Sequence, residues 1–273
     1  MKEPIYDILI QNTRILTPDM TIRSGVDVAI KDGMISSICS SGSLSCPEAE
    51  QTVDGSRLLW MPGLTDGHMH TCQQLLRGKI LDALPMIWTR IMLPFESTLT
   101  PEAVSLSAAL CSLEMIRGGT TSFLDAGGIH MDEAAKVYIK SGLRGALTLS
   151  TMDDTKVPDS MRADAAESIS RLNEYYNTWN GSGDGRLSVY YSLRSLISCS
   201  EELIRGVFEA ASERSAMVEA HMNEYPNEIN YHLERYQMRP MEYLDSLGVL
   251  SDHFVSAHSL LLSEHEIELM AAN

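Results

Sequence analysis

The sequence predicts an α/β fold of the (β/α)8 TIM-barrel type, preceded by a small β-rich unit. Three observations predict it. From residue 64 onward, short apolar runs of strand character alternate with longer helical stretches, the rhythm of parallel strands joined by right-handed crossovers. The first 60 residues read as strands and turns. Four histidines, His68, His70, His221 and His258, each close a strand-like run, which is where barrels of this type carry their site residues.

Residues 5–18 alternate loosely, as one strand or two. Val26–Cys39 reads as a hairpin turning at Asp32-Gly33, a pair suited to a tight hairpin turn. Residues 43–55 are a polar, Pro-containing connection, and Leu58–Met61 is a short strand. Pro62-Gly63 breaks it, giving expected domains of 1–60 and 61–273. Leu64–His68 is the first barrel strand. Residues 78–99 are loop and helix, with Trp88, Met92 and Phe95 either packing as ordinary helix residues or forming a flap over a pocket. Trp88 is the side chain best suited to stack on a flat ring. Thr100-Pro101 opens a helix as N-cap and first position, which Gly118-Gly119 ends. Then follow strand Thr120–Asp125, helix 131–141, strand Arg144–Ser150, helix 160–178, a Gly-rich turn at 180–185 and strand Leu187–Leu193. A helix over Ser200–Arg214 comes next, with Ser198 and Glu201 at capping-box spacing. Strand Met217–Met222, helices 227–237 and 240–247, strand Phe254–Ser259 and a helix opened by Ser263 with Glu266 complete the chain. That makes about six βα units where a closed barrel has eight.

A chain of 273 residues with 44% hydrophobic content can hold a large domain and a small one. A net charge of −16 offers no basic stripe to neutralise phosphates, so no nucleic-acid partner is expected. The five cysteines are scattered without a CxxC pair, which suits a reducing cytoplasm rather than a disulfide framework. The start lacks a secretory apolar region, and no run approaches ~20 apolar residues, so no membrane partner is expected.

The chemistry centres on Met61–Arg77, MPGLTDGHMHTCQQLLR. Residues i and i+2 of a strand share a face, so His68 and His70 present two imidazoles to one side. On a helix they would stand about 200° apart. His221 closes the run MVEAH, with Glu224 three residues on, and His258 closes FVSAH. Three imidazoles plus water make a common catalytic zinc site; unrelated core histidines are the bland alternative. His130 is expected to be structural, and His232, His253 and His265 sit in polar context, expected to be exposed and without a role.

PGLTDGHMH behind a β-rich N-terminus resembles the amidohydrolase superfamily. Within it the chain is similar to the branch of 5-methylthioadenosine/S-adenosylhomocysteine deaminases, guanine deaminases and chlorohydrolases, with HMNE and SAHS following in the family's order. The resemblance covers essentially the whole chain. It implies that residues 1–60 are part of a β-sandwich and that 61–273 is an incomplete metal-dependent barrel. It assigns His68, His70 and His221 to the metal, Zn2+ or alternatively Fe2+. Glu224 becomes the proton shuttle, and His258 the stabiliser of attacking water or leaving group. Gln73, in HxHxxQ, and Arg194 resemble base-contacting residues of guanine deaminases, although Leu193 and Ser195 replace the family's Pro and Phe around that Arg. A surface ion pair is the alternative for Arg194. Trp88 completes the substrate-binding set.

The implied activity is hydrolytic deamination of a purine, pterin or adenosine-type nucleoside such as 5-methylthioadenosine/S-adenosylhomocysteine: a hydrolase acting on C–N bonds of cyclic amidines. Guanine deamination and triazine chloro- or aminohydrolysis are the enzymatic alternatives. The family's aspartate after the eighth strand has no counterpart after His258. The chain therefore resembles the first three-fifths of a member, truncated after about six units: a shortened chain, a broken gene or half of a two-chain assembly. An inactive fragment is the rival from another class. Bare edges and apolar helix faces predict a need for the missing part or for dimerisation. A homodimer binding a small-molecule substrate is the expected assembly.

Overall fold

The computed structural model describes residues 6–44, 48–80 and 87–273. The chain divides into two units, Met1–Gly63 and Leu64–Asn273.

The first unit is one five-stranded sheet. Strand β1 (Tyr6–Leu16) pairs antiparallel with β2 (Ile22–Lys31), and β2 with β3 (Met34–Ser40). Asp32 and Gly33 close the β2–β3 hairpin at φ 51° and 72°; both central residues of a type I′ turn need positive φ. On its other side β1 pairs in parallel with β4 (Ala49–Asp54) and β5 (Leu59–Trp60). Strand β4 corrects the expectation of a plain connection over 43–55. Its sequence, AEQTVD, carries little apolar signal, and the backbone ladder to β1 makes the strand. Ile15, Val26 and Val28 bury together under Ile10, Ile30 and Trp60. Asp27 is buried where β1 bulges and accepts from Asn12 N (2.7 Å), Ser41 Oγ (2.7 Å) and Gly42 N (2.9 Å). These donors outweigh its burial and hold its pKa below the ordinary value.

The second unit carries the parallel wall. Strands β6 (Leu64–Met69), β7 (Thr120–Asp125), β8 (Arg144–Leu147) and β9 (Leu187–Val189) pair in that order, as do β10 (Tyr191–Ser195), β11 (Val218–Met222) and β12 (Phe254–His258). The single strand expected over Leu187–Leu193 is thus two, with Tyr190 between. Tyr190 N donates to Leu147 O and Tyr191 N to Met217 O, both at 2.9 Å. One extended segment therefore bonds to the wall on both sides. Arg144–Ser150 is strand only to Leu147.

Helices cover the wall by periodic burial. In helix Glu201–Ser212, Leu203, Ile204, Val207, Phe208 and Ala211 are buried, one stripe of 3.6 period, against Leu193, Val218 and Ala220 of β10 and β11. Each such side chain contributes about 1.5–3 kcal/mol by leaving water, and Leu203→Ala would cost about 2–5 kcal/mol. The N-cap of this helix is Ser200, which accepts from Leu203 N at 3.1 Å. Ser198 instead lies in a 3-10 turn, donating to Ser195 O. That turn consumes the residues that the Ser198–Glu201 spacing had offered as a cap. Thr100 and Ser263 do cap their helices, the latter with Glu266 in a reciprocal box.

Among the described residues β6 pairs only with β7 and β12 only with β11. Helix Pro101–Gly118 buries Val104, Ala108, Cys111 and Met115 but leaves Leu106, Leu110 and Leu113 exposed on its other side. Among the described residues no single helix is long and apolar enough to cross a membrane.

Candidate metal centre

The C-terminal ends of β6, β11 and β12 converge. Register sets Ser195 opposite His221 and Met222 opposite His258, so histidines far apart in sequence meet at one rim. One ligand nitrogen from each of His68, His70 and His221 lies within 4.8 Å of the others, and Nε2 of His70 stands 3.0 Å from Nε2 of His221. The His258 ring centroid is 4.9 Å from that of His68. Burial, then the charges of His258 and Arg194, push the His68 imidazole down to about 4. Burial holds His70 and His221 well below their ordinary value. All three are neutral near pH 7, the form that ligates a metal. Their Nδ1 atoms are buried without partners. Ligand nitrogens at 2.0–2.1 Å from a tetrahedral ion stand about 3.3 Å apart, so the donor set and its spacing fit a divalent cation.

Above the triad is a cavity of about 230 Å³ that takes in all four histidines, Gln73, Trp88, Arg194 and Glu224. Every residue singled out from sequence for the site therefore lines one cavity. Glu224 Oε2 is 3.5 Å from His258 Nε2, and Glu224 N donates to Glu228 Oε2 at 2.9 Å. Glu228 is buried, and burial lifts its carboxyl to about 7. Trp88 sits in a π-helical turn, Trp88–Met92, and faces the cavity together with Met92, whereas Phe95 packs into the core behind.

Arg194 is not at the surface: its side chain is 2% exposed and that of its partner Glu96 0%. Arg194 Nη2 donates to Glu96 Oε1 at 2.8 Å, and Nη1 to Glu96 Oε2 at 3.2 Å and Ser150 Oγ at 2.9 Å. Nη1 also reaches Gly127 O at 3.4 Å. Gly127 has φ 79°, and a Cβ there would stand 2.5 Å from Thr148 Oγ1, so glycine is required at this contact. Gln73 Nε2 donates to Glu96 Oε1 at 2.6 Å. A carboxylate accepts only, so it fixes the Gln73 amide with NH2 toward Glu96 and oxygen away.

Four buried carboxyls escape the sequence reading. Glu96 ends LPFE without any local signal. Glu228 lies four residues after Glu224, in the first turn of helix Pro226–Tyr236. Glu219 is two residues before His221 on the same strand face, and that spacing is the signal that could have found it. It is fully buried, and burial lifts its carboxyl to about 8. Asp125, closing β7, is also fully buried and lifted to about 6 despite accepting from Thr71 and Gly127.

His130 caps a helix at φ 53° and borders a separate concavity of about 380 Å³. His253 and His265 are exposed, as expected. His232 corrects the expectation. It is buried on helix Pro226–Tyr236, donating from Nδ1 to Glu228 O at 2.9 Å, among Tyr231, Tyr236 and Tyr243. The helix buries Glu228, Ile229 and His232, a spacing that carries the histidine inward whatever its polarity.

Residues 59–273 match the amidohydrolase family. A 5-methylthioadenosine/S-adenosylhomocysteine deaminase from Pelotomaculum thermopropionicum is 32% identical over 97% of this chain and 60% of its own length. A 5′-deoxyadenosine deaminase from Methanothermobacter thermautotrophicus is 34% identical over 92% of this chain and 57% of its own. The crystal structure of a zinc-bound adenosine deaminase from Xanthomonas campestris superposes with a TM-score of 0.89 at 26% identity, covering 98% of this chain and 61% of that one. The chain thus spans about 60% of the length of the curated relatives it matches.

Proposed function

The chain belongs to the amidohydrolase family, and from that premise we propose that it carries the metal and proton-transfer machinery of a hydrolytic deaminase for adenosine-type nucleosides. The observation that carries this reading is the convergence of His68, His70 and His221, neutral and within 4.8 Å, beneath a cavity bordered by a carboxylate and a flat ring. These three side chains are the proposed ligands. Zinc is the proposed metal, supported by the zinc-bound relative, with Fe2+ as the alternative.

When bound, the metal acts as a Lewis acid that makes water nucleophilic near neutral pH. Glu224 takes one proton of the attacking water and delivers it to the ring nitrogen, and the second proton of that oxygen passes to the departing amine, leaving a carbonyl beside a ring N–H. A C–O bond forms, the C–N bond breaks, and ammonia leaves. His258, 3.5 Å from that carboxyl, orients it. Trp88 provides a wall for the heterocycle. Gln73 turns its amide oxygen, an acceptor, away from Glu96, which suits the exocyclic amine of an aminopurine. Arg194 has both terminal nitrogens committed to Glu96. It acts through Gln73 rather than on a ring carbonyl, which favours an adenosine-type substrate over a guanine-like one. The reading includes a cytoplasmic homodimer without nucleic-acid or membrane partners. The charge of −16 and the exposed leucines of helix Pro101–Gly118 support it.

The test is metal content after dialysis, then ammonia release from adenosine, 5′-deoxyadenosine, 5-methylthioadenosine and guanine. Both are measured on this chain alone and mixed with the downstream segment of a relative. About one metal per chain and adenosine-type turnover in the mixture are expected; absence of bound metal in both sinks the proposal. Among the described residues β6 and β12 each pair with a single strand, which favours a second reading, a metal-binding module without turnover, which metal without ammonia in either preparation would support.

A further inference from the structure

Glu219 has no part in the chemistry above, yet its side chain is fully buried. Strand alternation points it to the same side as His221. Both of its carboxyl oxygens are buried without a hydrogen-bond partner. A buried polar group left unpaired costs about 1–3 kcal/mol or more, so a group retained there needs a reason. Its Oε1 stands 3.7 Å from Nδ1 of His68, and that Nδ1 is also buried and unpartnered. Two orphaned groups thus face each other: an imidazole nitrogen that donates when it carries the ring proton, and a carboxyl whose carbonyl oxygen accepts whether or not the group is ionised. The gap exceeds hydrogen-bond length by about 0.8 Å, within the reach of a small side-chain rotation.

We infer that Glu219 is a positioning residue for His68: it accepts a hydrogen bond from Nδ1–H, which selects the tautomer whose Nε2 lone pair faces the metal. A neutral imidazole carries a single N–H, and the partner of one nitrogen decides what the other can do. Carboxylates behind metal-ligating histidines typically raise metal affinity 10- to 100-fold. The Nδ1 atoms of His70 and His221 are likewise buried and unpartnered, so they lack such support. The inference rests on the metal reading above for its affinity consequence but not for its tautomer.

Two measurements test it. In the metal-free protein, long-range 15N–1H NMR should show His68 protonated on Nδ1, and Glu219→Leu should shift it toward the Nε2-protonated form. An Nε2–H tautomer in the unsubstituted protein overturns the inference whatever the metal result. Zinc affinity is then measured by competition with a chromophoric chelator. Glu219→Leu should bind zinc about 10- to 100-fold more weakly, while Glu219→Gln, whose amide oxygen still accepts from Nδ1, should stay within about threefold. Equal affinity of the Leu variant and the unsubstituted protein, or equal loss in both variants, overturns the inference. If the unsubstituted chain binds no zinc, the proposed function fails, and the tautomer measurement alone decides the role of Glu219.

Discussion

Glu96→Ala is the sharpest test of the cavity floor. In the folded chain Glu96 accepts from Arg194 on both oxygens and from Gln73 on one, with neither partner of the ion pair more than 2% exposed. Removing one member of such a pair typically costs about 3–5 kcal/mol, because the other charge stays buried and uncompensated. Arg194 keeps Ser150 Oγ and Gly127 O, which places this term near the lower end, about 3 kcal/mol. Gln73 loses its acceptor, adding about 1 kcal/mol. The expected total of about 4 kcal/mol, with a urea slope of about 3 kcal/mol/M, lowers the unfolding midpoint by about 1.3 M. Replacing both members by methionine should cost clearly less than the sum of the single changes, since a buried pair often exchanges for apolar side chains at little cost. Urea titration followed by circular dichroism reads the unsubstituted protein, Glu96→Ala, the two single methionine variants and the double variant. A Glu96→Ala loss under about 1 kcal/mol, or strict additivity in the double variant, would show that the guanidinium is solvated and the cavity floor differently built.

Other expectations follow from the same geometry. Burial raises Glu228 to about 7, so its contribution to stability is complete below its unfolded value near 4.5 and is lost as pH rises through about 7. Glu228→Gln should therefore gain stability relative to the unsubstituted protein between pH 4.5 and 7 and hold a constant gap above; parallel melting curves across that range would contradict the assignment. Trp88→Ala should weaken binding of an aminopurine about tenfold, as loss of ring stacking worth about 1–3 kcal/mol implies, without changing zinc stoichiometry; calorimetry reads both. His221→Ala should abolish the rise in melting temperature that zinc produces in the unsubstituted chain, and an undiminished rise would move the metal elsewhere. Thr100→Ala removes the oxygen that accepts from Ala103 N and should cost about 1 kcal/mol in thermal unfolding.

Much of this protein is legible in its residues because the signals are local. Asp32-Gly33, Thr100-Pro101 and Ser263 with Glu266 act over two to four residues, and the structure places a turn or cap at each. The pair His68 and His70 declares itself through the two-residue period of a strand. Strand β4 and the Ser200 cap were hidden because a neighbouring ladder and an intervening 3-10 turn decided them. His232 misled because a polar residue on a helix goes where the helix face goes.

The residues alone determined the βα rhythm, the histidine motif and the acidic charge, since each depends on side-chain identity and short spacing. Only the tertiary structure decided that Arg194 is committed to Glu96, that Gln73 presents an oxygen, and that Glu219 faces His68. Those partners lie 98, 23 and 151 residues apart, and nothing in the linear order encodes which buried polar atoms will be left to satisfy one another once parallel strands bring their ends together.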